Sequence, residues 1–204
     1  MTKIISLLVL QPLFCFTLFP LRYSTNSLIE TTCKQTPFFD LRVSTLESDP
    51  RSLSVDVSGL ARIAADSVNA KAIVTLNQIS TLLESATDPN LKKASGGCVD
   101  YYNTIINADI PVAIEAIEKN DPKFAVGSAT DAGNEARRSE DSFGGSSTDS
   151  PISDSNKAVH DLCVILQSIA SCAVTRIEKE EMLQLLRKDD EQRDAAALVH
   201  KRTN

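Results

Sequence analysis

The chain has 204 residues, of which 42% are hydrophobic, with a formal net charge of −6. That length makes one domain, or one domain with tails, and the hydrophobic share suffices for a core. The acidic balance excludes a nucleic-acid binder, whose phosphate contacts need a basic footprint; aromatics at 5% with no Trp lean the core towards helices rather than a β-sandwich.

The first segment, "MTKIISLLVLQPLFCFTLFPLRYSTNS", sets Lys3 before an apolar run from Ile4 to Leu21, then small residues at Thr25 and Ser27. This is the order of a secretory signal peptide. Residues 1–27 are expected to be that signal, cut between Ser24 and Ser27. A retained anchor is the alternative, against which Gln11 and two prolines interrupt the run. No later segment reads as apolar enough to span a bilayer. The mature chain is therefore expected to be secreted and soluble, with no membrane partner.

Cleavage removes Cys15 and leaves Cys33, Cys98, Cys163 and Cys172. In an oxidising compartment four cysteines suggest two bridges, with three possible connectivities. Cys163 and Cys172 fall on one helical pattern, nine positions apart. That is roughly 13 to 14 Å along the axis, too far for a disulfide. No Asn-x-Ser/Thr sequon occurs.

Apolar spacing then predicts five helical regions. The first, Leu28 to Ser48, is short and broken at Pro37. The second runs from Ser58, a candidate N-cap, to Ser85, with Leu60, Ala64, Val68, Ala72, Leu76, Ile79 and Leu83 on one face. Asp88-Pro89 reads as N-cap plus N1 proline and opens the third. Its face carries Cys98, Tyr102, Ile105, Ala108, Val112 and Ile117, with a kink expected at Pro111. Asp121-Pro122 repeats the start signal for a fourth helix, Lys123 to about Phe143, whose face is Ala125, Ala129, Ala132 and Ala136. "GGSSTDSPISDS" is loop by composition, and the fifth helix begins near Asp154 with Val159, Leu162, Ile165, Leu166, Ile169 and Ala173 at helical spacing. Four amphipathic helices on short connections give an all-α, up-down four-helix bundle. After Val174 both signs of charge crowd the sequence. Residues 176–204 read as a solvated, helical C-terminal extension rather than a coiled coil, because the apolar positions keep no heptad.

Catalytic motifs are scarce. The two histidines, His160 and His200, belong to no HExxH; there is no CxxC, no P-loop and no GxSxG. His160 and Asp161 are neighbours in sequence, and side chains at i and i+1 on a helix point apart. No metal site, no cofactor and no enzymatic activity are expected. A secreted acidic bundle without catalytic groups reads as a binding module.

Several stretches resemble the plant invertase inhibitor and pectin methylesterase inhibitor family: "LIETTCKQTPFFDLRVSTLESDPRS", "AIEAIEKNDPKFA" and "SNKAVHDLC". The resemblance runs roughly from Leu28 to Val174 and sets a domain at 28–175. It implies a four-helix bundle preceded by a short N-terminal helical hairpin, located in the apoplast or alternatively the vacuole. One branch of the family inhibits acid invertases and the other pectin methylesterases. Asp121, Pro122, Lys123 and Phe124 resemble the Pro-Lys-Phe turn of the invertase branch, which enters the target's sucrose cleft. In such a turn Lys123 offers a cation to a carboxylate-rich glycosidase site and Phe124 an apolar anchor. Spacing alone favours an ordinary helix start at Asp121-Pro122 and a core position for Phe124. The resemblance implies an inhibitor of an acid invertase (β-fructofuranosidase). The alternatives are pectin methylesterase inhibition, or a degenerate member that inhibits nothing.

The resemblance also implies two bridges, of which Cys33 and Cys98 match one half each. The expected partners stand replaced at Arg42 and Ser139. A lost native bridge costs a small secreted domain about 2 to 5 kcal/mol. Cys33 is open to pairing between chains, giving a homodimer. Cys98 is open to pairing with Cys163 or Cys172, or to burial as a free thiol, the reading preferred here.

Overall fold

The structure, a computed structural model, describes residues 38–144 and 150–203, with side chains to Arg193. The expected leader, Cys15, Cys33 and the first part of the expected hairpin lie outside the described residues. Helix α1 spans Phe39–Glu47, and a 3-10 turn follows at Pro50–Leu53.

Helix α2 spans Val57–Ser85. Its cap is Asp56 rather than the expected Ser58, because the Asp56 carboxylate accepts from Gly59 N–H at 2.9 Å. A carboxylate there also sits at the positive end of the helix dipole. Gly59 is required by close approach: a Cβ would lie 2.3 Å from Val55 Cβ.

Helix α3, Pro89–Thr104, starts as the sequence predicts, with Asp88 accepting from Asn90 and Leu91 N–H at 2.9 and 2.8 Å. The expected kink at Pro111 is a π-helical turn, Ile105–Asp109, leading into α4, Ile110–Glu118. Pro111 has no N–H to offer the carbonyl of Asn107, and its ring crowds the preceding turn. The ladder widens by one residue, so that Ile110 N–H bonds Ile105 O. The extra residue rotates everything after it. Ala108 and Val112, expected on the core face, are exposed; Ile110 and Ala113 take their place, both fully buried.

Helix α5, Pro122–Asp141, and helix α6, Ser153–Thr203, complete the bundle. Helices α2 and α5 each pack on the α3–α4 rod and on α6, so the four rods close an up-down square. The core holds Leu60, Ile63, Val68 and Ile79 of α2, Tyr102 of α3, and Ile165, Leu166 and Ile169 of α6. The small face of α5, Ala125, Ala129, Ala132 and Ala136, is buried as expected. It lets α6 approach closely: a Cβ on Gly133 would lie 3.4 Å from Cys163 Cβ.

One expectation needs correction. α6 is long and apolar enough, by length and composition, to cross a membrane. The apolar side chains responsible, Val159, Ile165, Leu166 and Ile169, are packed inside the bundle. At about 76 Å, α6 is far longer than α2, at about 43 Å. From Val174 to Arg193 none of its side chains is buried.

Candidate functional site

Groups with chemical potential inside the bundle are tied into packing. Lys157 Nζ binds Asp161 at 2.5 Å, and His160 Nδ1 stands 3.5 Å from the other oxygen of that carboxylate. Cys163, one turn beyond His160, is a free thiol whose burial pushes it up to about 12, far from a thiolate nucleophile. Tyr102 donates to Asn156 Oδ1 at 2.9 Å, and Asn156 donates to Glu140 at 2.8 Å, a buried polar chain that locks three helices together. Asp109, in the π turn, is pushed up to about 6 by burial first, then by Asp131 and Glu135 on α5. Among the described residues no three His, Cys, Asp or Glu side chains gather as a metal site.

Cys98 and Ser139, matched as two halves of a family bridge, are brought together. Both are fully buried, and Cys98 Sγ donates to Ser139 O at 3.3 Å. Cys98 is a free thiol, so it pairs with neither Cys163 nor Cys172, and burial raises its pKa. Arg42 is also fully buried, its guanidinium 5.3 Å from the centre of the Phe39 ring. An apolar-stripe reading of α1 gives no reason to bury an arginine.

The Asp121–Phe124 stretch forms the connection between α4 and α5. Two residues past the end of α4, Asn120 has a left-handed φ of 57°. Asp121 N–H then reaches Ala116 O at 2.8 Å and Asn120 N–H reaches Ile117 O at 3.1 Å. This is a Schellman closure with Asn in the place usually taken by Gly. Sequence reasoning missed it, although Asn120, three residues past the periodic Ile117, is a helix-stop residue. Asp121 makes no side-chain cap, contrary to the expected start signal; its backbone carbonyl accepts from Phe124 N–H at 3.2 Å. Pro122 is buried at N1 of α5 and pins the turn to the bundle. Around that peg the side chains of Lys123 and Phe124 point outward, 69% and 68% exposed. Phe124 is therefore not the core residue that spacing alone favours. Lys123 Nζ makes an ion pair with Glu178 of α6 at 3.0 Å.

The turn thus shows a cation and an aromatic ring at one end of the four-helix bundle. The family model described as plant invertase/pectin methylesterase inhibitor matches residues 27–169, and the chain belongs to that family. It is 44% identical over 146 residues to cell wall / vacuolar inhibitor of fructosidase 1 of Arabidopsis thaliana, covering 72% of this chain and 69% of that one. It is 39% identical over 83 residues to a pectinesterase inhibitor of Actinidia deliciosa, covering 41% and 45%. A crystal structure of a mutant form of a pectin methylesterase inhibitor from Arabidopsis superposes with a TM-score of 0.61 at 25% identity, covering 70% of this chain and 95% of that one.

Proposed function

We propose that the chain is a secreted inhibitor that binds an acid invertase one-to-one and blocks substrate entry through the Asp121–Phe124 turn. The observation that carries this is the exposure of Phe124 beside Lys123 on a turn pinned by a buried proline. A phenylalanine in solvent has no folding role, and a fixed backbone lowers the ordering cost of binding. The fructosidase inhibitor among the relatives supports the choice of target. Residues 1–27 serve in this reading as the secretory leader of a domain at 28–175, active in the apoplast or alternatively the vacuole.

Replacing Lys123 and Phe124 together by Ala is expected to weaken inhibition at least about tenfold. The fold should hold, since neither side chain is buried. Unchanged potency would remove the turn from the contact. Pectin methylesterase is the second reading, favoured by the Actinidia relative, and it would use helix faces instead. Titrating the protein against both enzymes at mildly acidic pH separates the two. A folded protein that inhibits neither enzyme is the degenerate member that the residues at Arg42 and Ser139 suggest.

A further inference from the structure

Helix α6 does not stop where the bundle stops. Among the described side chains its last buried one is Ala173, and the helix continues for about 45 Å beyond it. It leaves the bundle at the end where α2 begins and where α4 turns into α5. A cleft of about 180 Å³ marks this end, lined by Asp56, Val57, Asn120, Arg176, Ile177 and Glu180. Arg176 and Glu180 pair along the helix at 3.3 Å and stiffen this stretch. Glu178, one turn past Val174, reaches the Asp121–Phe124 turn and holds Lys123 Nζ at 3.0 Å.

We propose that this extension is an autoinhibitory strap: Glu178 occupies the Lys123 ammonium and the helix stands beside the turn, so an enzyme must displace both before the turn can enter its cleft. The inference rests on the reading that Lys123 and Phe124 contact an enzyme. Glu178 raises the Lys123 pKa, with smaller contributions from Glu181 and Asp121, so three carboxylates share the field at this ammonium. Phe124 is left open, so the strap acts on the cation and on the approach path rather than on the anchor. An exposed pair of this kind biases an equilibrium by a factor of roughly 1.5 to 5. The strap is therefore a bias that a carboxylate-rich target can overcome, and it should weaken as salt rises.

The test uses the full chain with Glu178→Lys and Glu181→Lys, which turn attraction for Lys123 into repulsion, and with Glu178→Gln and Glu181→Gln, which only remove it. Two readouts are taken: inhibition of an acid invertase, and the rate at which an amine-acylating ester modifies Lys123 relative to Lys119. The strap predicts faster Lys123 acylation in both variants. It also predicts inhibition strengthened a few-fold by both pairs, the Lys pair nearer the ceiling of about sixfold that full release allows. Unchanged acylation overturns it. Faster acylation with unchanged inhibition overturns the strap and leaves the enzyme reading standing. Faster acylation with no inhibition by any form overturns the enzyme reading itself, and the strap with it.

Discussion

Along one uninterrupted helix, α6, two regions obey different rules. Between Val159 and Ala173 the chain buries Val159, Cys163, Ile165, Leu166, Ile169 and Ala170 against α2 and α5. Beyond Val174 the same helix leaves Met182, Leu183, Leu185 and Leu186 in solvent; two of its described ion pairs join residues three and four apart along the helix, and a third reaches Lys123. The first region is helical because an apolar face is buried. The second needs no nucleus of its own, because the folded bundle supplies the first turns and propagation continues residue by residue. Helicity and burial are separable achievements of a sequence: the bundle part of α6 has both, and the extension has helicity alone.

The largest expected effect tests the buried side of this contrast. Leu166→Ala should lower stability by about 3 to 5 kcal/mol in denaturant unfolding, since it opens a cavity between packed helices. A loss under about 1 kcal/mol would mean that the core collapses around the gap, and that close packing of α6 on the bundle is not what holds it. Next comes a gain. Ser139→Cys places a second thiol beside Cys98, whose sulfur already lies 3.3 Å from the backbone carbonyl of residue 139. An oxidised bridge should add about 2 to 4 kcal/mol, which a reductant removes. If the bridge fails to form in air, the two positions are in contact without the Cβ geometry that a disulfide needs.

Much of the bundle was legible because burial leaves a period in the sequence. The α2 stripe, the alanine face of α5 and the Asp88-Pro89 start all follow from spacing and cap chemistry. The phase of α4 was not legible. A π turn forced by Pro111 inserts a residue, and a fixed period carried across it puts Ala108 and Val112 on the wrong face. The Asp121–Phe124 turn was half legible: resemblance singled out Lys123 and Phe124, but spacing could not tell an exposed Phe124 from a core one. Contact between Lys123 and Glu178 joins residues 55 positions apart, and no local pattern encodes that.

A smaller effect separates the two regions by pH. In the bundle burial pushes the Asp109 carboxyl up to about 6, from an ordinary value of 3.8, with Asp131, Glu135 and the Cys163 thiol around it. Its native carboxyl holds a proton more tightly than the unfolded one does. Its contribution is therefore largest below pH 3.8 and is lost as pH rises to 6. After discounting for its partial exposure this amounts to about 1 kcal/mol. Asp109→Asn should flatten the stability difference between pH 4 and pH 7 by that amount, measured as the shift in denaturant midpoint. An unchanged pH slope would place the Asp109 carboxyl in water.

The smallest expected effect lies in the extension, and it is the one that would break the contrast outright. Leu185 is 63% exposed and Leu186 52%. Replacing either with Ala should change global stability by less than about 0.5 kcal/mol, since an exposed leucine removes little surface from water on folding. Ala is also the better helix former, which offsets part of any loss. Unfolding midpoints for Leu185→Ala and Leu186→Ala, set beside Leu166→Ala, give the comparison directly. A loss above about 1 kcal/mol that grows with protein concentration would mean that these leucines pack against a second chain. The extension would then be an interface, with the apolar burial that α6 otherwise confines to the bundle.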